Sequence, residues 1–170
     1  AAESINMLVQ ENMLNLVEIG WNLIWICGPK WYKSLSEKMG PSQTQKTSIV
    51  LGTDKTEVII LDYLENMELA YTQSHAVLCR SGATTLAELA EYKTPSFLIP
   101  YPFAKDNHQV LNAQYFVNDH KTSTYNEEKT VKWDTLKAWF GSLPETKGPN
   151  TVTFKANQLV IEEIQKVILK

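Results

Sequence analysis

Residues 76–88 read Ala76-Val77-Leu78-Cys79-Arg80-Ser81-Gly82-Ala83-Thr84-Thr85-Leu86-Ala87-Glu88. The first four residues form an apolar run of strand length, and Gly82 supplies a turn after it. From Thr84 to Tyr92 the apolar residues recur at helical spacing. This stretch therefore predicts a strand, a tight turn and a helix.

The same alternation of short apolar runs and helical patterns continues on both sides of this stretch. Strands are predicted at 21–27, 58–61, 76–79 and 96–99, and helices at 4–20, 31–39, 65–72, 84–92, 107–118, 131–140 and 154–168. The residues between 40 and 57 are predicted to form a loop. Strands that alternate with helices indicate the α/β class with a doubly wound parallel sheet. Since such a sheet normally begins with a strand and a helix comes first here, we expect the first strand to be missing.

The composition is that of an ordinary globular domain. The chain has 170 residues, of which 44% are hydrophobic and 21% are charged, so one compact domain can bury a sizeable core. We therefore treat 1–170 as a single domain, with tail helices at about 131–170. The 16 basic and 19 acidic residues give a net charge of −3 and form no basic tract. Neither nucleic acid nor an anionic membrane is attracted by this overall charge.

The sequence also excludes several classes of chemistry. Cys27 and Cys79 lie on separate apolar runs, which argues against a disulfide framework or a C-x-x-C site and predicts buried free thiols in a reducing cytosol. The longest apolar stretches are strand-sized, far short of the roughly 20 residues that a membrane helix needs. The sequence contains no H-E-x-x-H, G-x-S-x-G or Walker pattern, so metalloprotease, serine hydrolase and P-loop readings have no support.

The turn after Cys79 is a candidate anion site. In open α/β sheets, ligands bind beyond the carboxyl ends of the strands, where helix N-termini present free N–H groups. Gly82 would let a ligand approach the backbone, and the amides of Ala83, Thr84 and Thr85 would point at a diphosphate. The alternative is a plain serine or threonine N-cap on a core helix.

Three further residues of this stretch are candidate substrate contacts. Arg80 is the only arginine in the chain. Arginine holds phosphate through a planar fork, although a structural ion pair explains its presence equally well. Ser81 lies beside it in the same loop. Glu88 lies one helical turn beyond Thr84 and could accept hydrogen bonds from the two hydroxyls of a ribose, the alternative being an exposed helix glutamate.

A second polar loop follows the strand predicted at 96–99. Residues 99–109 bring five hydrogen-bonding side chains to the entrance of one helix, and Pro100 and Pro102 stiffen the approach. His108 and Gln109 are therefore candidate contacts for sugar hydroxyls, with a capped and solvated helix start as the alternative. A general-base role for His108 would need an orienting partner that the sequence does not show.

Together, these two loops resemble the MurG family of peptidoglycan N-acetylglucosamine (GlcNAc) transferases, which are GT-B glycosyltransferases of family 28. The similarity rests on residues 80–88, 99–102, 106–109 and 112–113, and a weaker likeness runs from Ser4 to about Asn118. It implies the Rossmann-like C-terminal half of a GT-B fold, which binds UDP-GlcNAc. A separate N-terminal domain would bind the lipid-linked acceptor, lipid I, for conversion to lipid II in cell-wall synthesis.

The resemblance also implies individual roles in donor binding. These are Thr84 and Thr85 for the diphosphate, Glu88 for the ribose, His108 and Gln109 for the GlcNAc hydroxyls, Tyr63 and Leu64 for the uracil, and Arg80 for a position near the donor. The uracil assignment rests on the resemblance alone.

The resemblance covers only the donor half of the family. The Gly-Gly-Ser-x-Gly loop that would precede Ser4, the acceptor domain and a glycine-rich continuation at 118–125 have no counterpart in 1–170. We therefore expect the isolated chain to be catalytically inactive, to contain no catalytic residue that can be assigned, and to need an acceptor domain or a partner chain. The implied enzyme carries out inverting transfer in the cytoplasm, at the inner face of the membrane. It needs no tightly bound cofactor, although magnesium could accompany the diphosphate.

Two other functions are compatible with the same residues. One is a stand-alone donor subunit that a second chain completes, similar to the small chain of the eukaryotic two-subunit lipid-linked GlcNAc transferase. The other is a non-catalytic nucleotide-binding module. Co-purification with a second chain would favour the first, and UDP binding without turnover, even with the missing half supplied, would favour the second.

Overall fold

The computed structural model describes residues 3–39, 48–52 and 57–144. These residues fall into two compact units, one formed by residues 6–69 and the other by residues 3–5 and 70–144. The helix predicted at 154–168 lies outside the described residues. That 1–170 forms a single domain stays a prediction.

The first unit contains a three-stranded sheet and two helices. Its elements are β1 (Leu23–Ile26), α2 (Pro29–Met39), β2 (Ser48–Gly52), β3 (Glu57–Leu61) and, from Asn6 onward, α1 (Glu3–Glu18), whose first three residues belong to the second unit. The strand order is β1-β3-β2, with β1 parallel and β2 antiparallel to β3. The prediction of a loop throughout 40–57 was therefore wrong. Ile49 and Val50 are β-branched residues, and pairing with β3 gives this short run its backbone hydrogen bonds.

A buried asparagine joins α1 to the end of β1. Asn6 is 4% exposed, and its Nδ2 donates to the carbonyl of Cys27 at 2.9 Å while its Oδ1 accepts from the indole Nε1 of Trp25 at 3.0 Å. Because a buried amide without partners costs free energy, these bonds fix the helix against the strand. Trp25, Cys27 and Ile60 form the core beneath it.

The second unit contains an all-parallel three-stranded sheet. Its elements are β4 (Val77–Cys79), α4 (Ala83–Tyr92), β5 (Ser96–Leu98), α5 (His108–Asp119), β6 (Thr124–Tyr125) and α6 (Trp133–Ser142), and α3 (Met67–Gln73) runs from the first unit into the second. The strand order is β4-β5-β6. This confirms the α/β class with parallel strands. Strand β6 was not predicted, since two residues carry no readable period.

The core of the second unit surrounds β5. Phe97 and Leu98 are fully buried, and the ring of Phe97 meets that of Trp139 from α6 edge-on, with centroids 5.4 Å apart. Because β4 and β5 are parallel, their carboxyl ends lie at the same edge of the sheet. The loops 80–82 and 99–107, which lead into α4 and α5, therefore leave the sheet side by side.

Both cysteines are free thiols, and only Cys27 is buried, whereas Cys79 is partly exposed. The Sγ of Cys27 donates to the carbonyl of Leu61 at 3.3 Å. Burial raises the pKa of the Cys27 thiol to about 11 and that of Cys79 to about 12. Both groups are therefore protonated and unreactive near neutral pH.

Candidate functional site

The helix start at α4 is open. Gly82 is the N-cap residue, with φ −70° and ψ 145°, and no side chain caps the helix. Ala83 and Thr84 are exposed, and Thr85 is half-buried. The first intrahelical hydrogen bond runs from Leu86 N–H to the Gly82 carbonyl at 3.0 Å, so the preceding amides have no intrahelical acceptor. The alternative of a serine or threonine N-cap is therefore wrong.

Gly82 leaves free space above these amides. A Cβ built at this position would meet no heavy atom within 4 Å, and the backbone conformation is one that any residue adopts. The glycine is thus not required by the turn. What it provides is an unobstructed approach to a helix N-terminus with a positive dipole end, which suits a phosphate group.

Ser81 has a structural role. Its side chain is fully buried, its hydroxyl donates to the backbone carbonyl of Gln109 at 2.7 Å, and its own carbonyl accepts from Asn112 Nδ2 at 3.2 Å. These two hydrogen bonds join the β4–α4 loop to the start of α5. Contact between Ser81 and substrate stays a prediction.

Arg80 connects four parts of the second unit. Nη1 donates to the carbonyls of Ile99 and Pro100 at 3.0 and 3.1 Å, and Nη2 donates to Ser4 Oγ at 2.8 Å. The same Nη2 lies 2.6 Å from Glu128 Oε2, in a pair whose side chains are 17% and 29% exposed. Of the two roles that the sequence allowed, the structure shows the structural ion pair.

The loop after β5 presents polar and aromatic groups around Gln109. Gln109 Oε1 accepts from the Tyr101 backbone N–H at 3.0 Å, which leaves its amide nitrogen available as a donor. The ring of Tyr101 lies over the Arg80 guanidinium at 5.4 Å and meets the ring of Phe103 at 5.7 Å. The loop after β5 therefore orients the Gln109 side chain, whose amide nitrogen can donate to a ligand.

The entrance to α5 has an unusual backbone. Asp106 and Asn107 both adopt left-handed conformations with φ 52°, which these short polar residues tolerate better than most. His108 follows them, exposed, with Nδ1 2.6 Å from the carbonyl of Lys105. The histidine thus has an orienting partner that the sequence did not reveal, and that partner is a backbone carbonyl.

Glu88 is held by a tyrosine that the sequence analysis did not single out. The Tyr71 hydroxyl donates to Glu88 Oε2 at 2.8 Å, and Tyr71 is 5% exposed. Burial, followed by the hydrogen bond and charge of Glu88, raises the Tyr71 pKa. Glu88 is half-buried, so the alternative of an exposed helix glutamate is wrong. The pair is 17 residues apart, and no local pattern could have signalled it.

The two residues predicted to contact the uracil, Tyr63 and Leu64, lie in the first unit. Tyr63 is 67% exposed and Leu64 is 2% exposed, directly after β3. The Tyr63 backbone N–H donates to Asp62 Oδ1 at 2.7 Å. The structure thus brings the other predicted residues together in the second unit and places these two in the first.

The described residues were also searched for cavities, metal sites and membrane-spanning helices. A cavity in the second unit is lined by residues that include Phe97, Ser123 and Trp139, and by none of the predicted site residues. Within the ranges 3–39, 48–52 and 57–144, no three histidine, cysteine or acidic side chains cluster in a way that could hold a metal ion. In the same ranges, no helix is both long and apolar enough to cross a membrane.

Two of the curated proteins that are similar to this chain carry the same name. A protein of Shewanella violacea is 50% identical over 68 residues, covering 40% of this chain and 18% of that protein, and one of Desulfotalea psychrophila is 33% identical over 134 residues, covering 75% and 32%. Both are named UDP-N-acetylglucosamine–N-acetylmuramyl-(pentapeptide) pyrophosphoryl-undecaprenol N-acetylglucosamine transferase. The chain thus spans less than a third of either relative.

Two solved structures share the fold. The crystal structure of Acinetobacter baumannii MurG matches with a TM-score of 0.64 and 22% identity, over 98% of this chain and 43% of that one. The solution structure of ALG13 matches with a TM-score of 0.53 and 17% identity, over 95% of this chain and 90% of that one.

The glycosyltransferase family 28 C-terminal domain matches residues 1–140. The chain therefore belongs to glycosyltransferase family 28, in which it corresponds to the C-terminal domain.

Proposed function

We propose that this chain is the UDP-GlcNAc-binding half of an N-acetylglucosamine transferase that acts on a lipid-linked acceptor. The observation that carries the proposal is the uncapped start of α4 at Gly82, followed one turn later by the hydrogen-bonded carboxylate of Glu88. The names of the relatives support GlcNAc as the sugar and an undecaprenol-linked acceptor.

In this proposal, the donor is held group by group. The diphosphate lies against the amides of Ala83, Thr84 and Thr85, where the helix dipole favours negative charge. Glu88 accepts from the ribose hydroxyls. The remaining contacts are His108 and Gln109 for the sugar, and Tyr63 and Leu64 for the uracil.

The same groups would assist the reaction. An acceptor hydroxyl attacks the anomeric carbon and gives its proton to a base in the acceptor half, the bond from that carbon to the diphosphate oxygen breaks, and UDP leaves with an additional negative charge. Backbone amides aimed at that charge stabilise the transition state, and each well-placed donor of this kind contributes on the order of 3 kcal/mol. The transfer inverts the configuration at the anomeric carbon and needs no enzyme nucleophile. No residue of this chain is assigned as the base.

The acceptor site, the location and the metal requirement are also proposals. An acceptor domain or a partner chain supplies the lipid-binding half, and the complete enzyme works at the cytoplasmic face of the membrane, where its lipid-linked acceptor lies. No cofactor is tightly bound, although magnesium could accompany the diphosphate. Titrations with magnesium and with a chelator check this point, and we expect UDP affinity to change by less than about threefold, since the α4 amides already meet the phosphate charge.

Calorimetric titration of the chain with UDP-GlcNAc, UDP and ADP tests the proposal. We expect both uridine ligands to bind more tightly than ADP. The Glu88→Ala variant should weaken uridine nucleotide binding about tenfold or more, as expected for loss of a hydrogen-bonded charge. Glu91→Ala, which removes an exposed carboxylate from the same helix, should leave affinity unchanged. A folded chain that binds none of the three ligands would overturn the proposal.

A second candidate is a separate donor subunit completed by another polypeptide. The chain covers 90% of the ALG13 structure, so this fold occurs in a chain of nearly the same length. Affinity purification of the chain from its source cells tests this candidate. A stoichiometric second chain that restores transfer would support it, and transfer restored only by a covalently linked acceptor domain would contradict it.

A further inference from the structure

The contact between Tyr71 and Glu88 has a geometry suited to more than holding two helices together. The tyrosine hydroxyl lies 2.8 Å from Oε2 of the carboxylate, so the bond is short and charge-assisted. Tyr71 comes from the last turns of α3, whereas Glu88 lies one turn into α4. The tyrosine thus approaches the glutamate from a different helix.

Packing fixes the position of the tyrosine. Its side chain is 5% exposed, and its ring stacks on Tyr92 with centroids 5.7 Å apart and planes inclined by 24°. A buried ring packed in this way has few alternative rotamers. The hydroxyl is therefore a fixed donor, and the raised pKa of Tyr71 keeps it protonated at any pH at which the protein would act.

An ionised carboxylate can accept about four hydrogen bonds, two on each oxygen. Tyr71 uses one of these positions on Oε2. Among the residues that the structure describes, no other group donates to Oε1 or to the second position on Oε2, and Glu88 is only half-buried. Two vicinal hydroxyls of a sugar ring are donors with the spacing that a carboxylate accepts side by side.

We propose that Tyr71 is a positioning residue that orients Glu88 toward the 2′- and 3′-hydroxyls of the nucleotide, and thereby makes the site selective for ribonucleoside over 2′-deoxyribonucleoside diphosphates. This inference rests on the proposed function, because it takes Glu88 as the ribose ligand. Without Tyr71, the carboxylate would sample several rotamers, and ordering it on binding would cost affinity. This loss of affinity is larger for UDP, which offers two hydroxyls to the carboxylate, than for 2′-deoxy-UDP, which offers one.

The test compares UDP with 2′-deoxy-UDP by calorimetry on the full chain. We expect wild type to prefer UDP by about tenfold, the value of one hydrogen bond to a charged group. Tyr71→Phe removes only the hydroxyl and should reduce this preference to about threefold or less, acting mainly on UDP. Tyr115→Phe removes an exposed hydroxyl from α5 and should leave the preference intact.

A double-mutant cycle separates positioning from structural support. In a Glu88→Ala background, adding Tyr71→Phe should change neither affinity, because the two residues act as one unit. If Tyr71 only supports the fold, Tyr71→Phe weakens UDP and 2′-deoxy-UDP equally, and the proposal is overturned. Glu88→Asp keeps Tyr71 and its packing while withdrawing the carboxylate by one methylene. Retained selectivity in Glu88→Asp would also overturn the proposal, even if Tyr71→Phe failed to fold.

The outcomes separate the two proposals. A folded wild-type chain that binds no uridine nucleotide removes the donor function and this inference together. Wild type that binds UDP and 2′-deoxy-UDP equally, or a Tyr71→Phe variant with unchanged selectivity, removes the inference alone and leaves the donor function standing.

Discussion

The Ser81 hydroxyl donates a hydrogen bond of 2.7 Å to the backbone carbonyl of Gln109, 28 residues further along the chain. This bond joins the loop that precedes α4 to the start of α5. The phosphate and sugar contacts proposed above lie in the first turns of these two helices. Their relative position therefore depends on a buried serine.

Replacing Ser81 with alanine should lower the free energy of unfolding and reduce the affinity that the sugar adds to nucleotide binding. The Gln109 carbonyl would lose its buried donor, which costs about 1–3 kcal/mol of unfolding free energy. Denaturant unfolding measures this loss, and titration with UDP-GlcNAc and UDP measures whether the sugar still adds affinity. Ser36→Ala, which removes an exposed bond to the Lys33 carbonyl within α2, should change stability by less than about 0.5 kcal/mol. Equal effects of the two substitutions would argue against a structural role for Ser81.

Replacing Arg80 with lysine should destabilise the second unit although the charge is kept. A lysine ammonium cannot reproduce the planar fork that meets the Ile99 and Pro100 carbonyls together with Glu128. We expect a loss of about 1–3 kcal/mol, measured by denaturant unfolding. Lys129→Ala breaks the exposed pair with Glu127, whose side chains are 81% and 61% exposed, and should cost less than about 1 kcal/mol. An unchanged Arg80→Lys protein would show that the arginine is not a structural connector.

Replacing Gly82 with alanine should leave folding intact and weaken nucleotide binding. The backbone conformation suits alanine and the added methyl meets no neighbour within 4 Å, so stability should change by less than about 1 kcal/mol. The methyl would occupy the approach to the α4 amides and weaken UDP binding about tenfold through lost amide–phosphate bonds. Gly141→Ala, at another uncrowded glycine, is the control for binding. Full UDP affinity in Gly82→Ala would place the diphosphate elsewhere.

Stability should fall as the pH rises above about 9. The Cys27 thiol has its pKa raised from 9.0 to about 11 by burial, so the unfolded chain releases this proton at a lower pH than the folded protein. The stabilisation is complete below about pH 9 and is lost progressively as the pH approaches the folded value of about 11. Urea unfolding at several alkaline pH values should show a decline on the order of 2 kcal/mol from this group. The Cys27→Ala variant should show a shallower decline, and an equal slope in both proteins would assign it to other groups.

Local pattern was sufficient for most of the fold and part of the site. The strand at 77–79 and the helix through Glu88 follow from an apolar run and helical spacing, which are set by neighbours in the chain. The family resemblance could be drawn from the same stretch. Strands β2 and β6 were missed because they are short and gain their order from pairing with β3 and β5.

By itself, the sequence determined the α/β class, the order of its main elements and the two loops that carry polar residues, because hydrophobic periodicity and turn residues act over a few positions. Only the tertiary structure decided how individual side chains are used. It buried Ser81 against Gln109, committed Arg80 to Glu128 and set Tyr71 against Glu88. The partners in these pairs are 17 to 48 residues apart. Whether they meet depends on how helices pack on the sheet, and no local pattern in the chain encodes that packing.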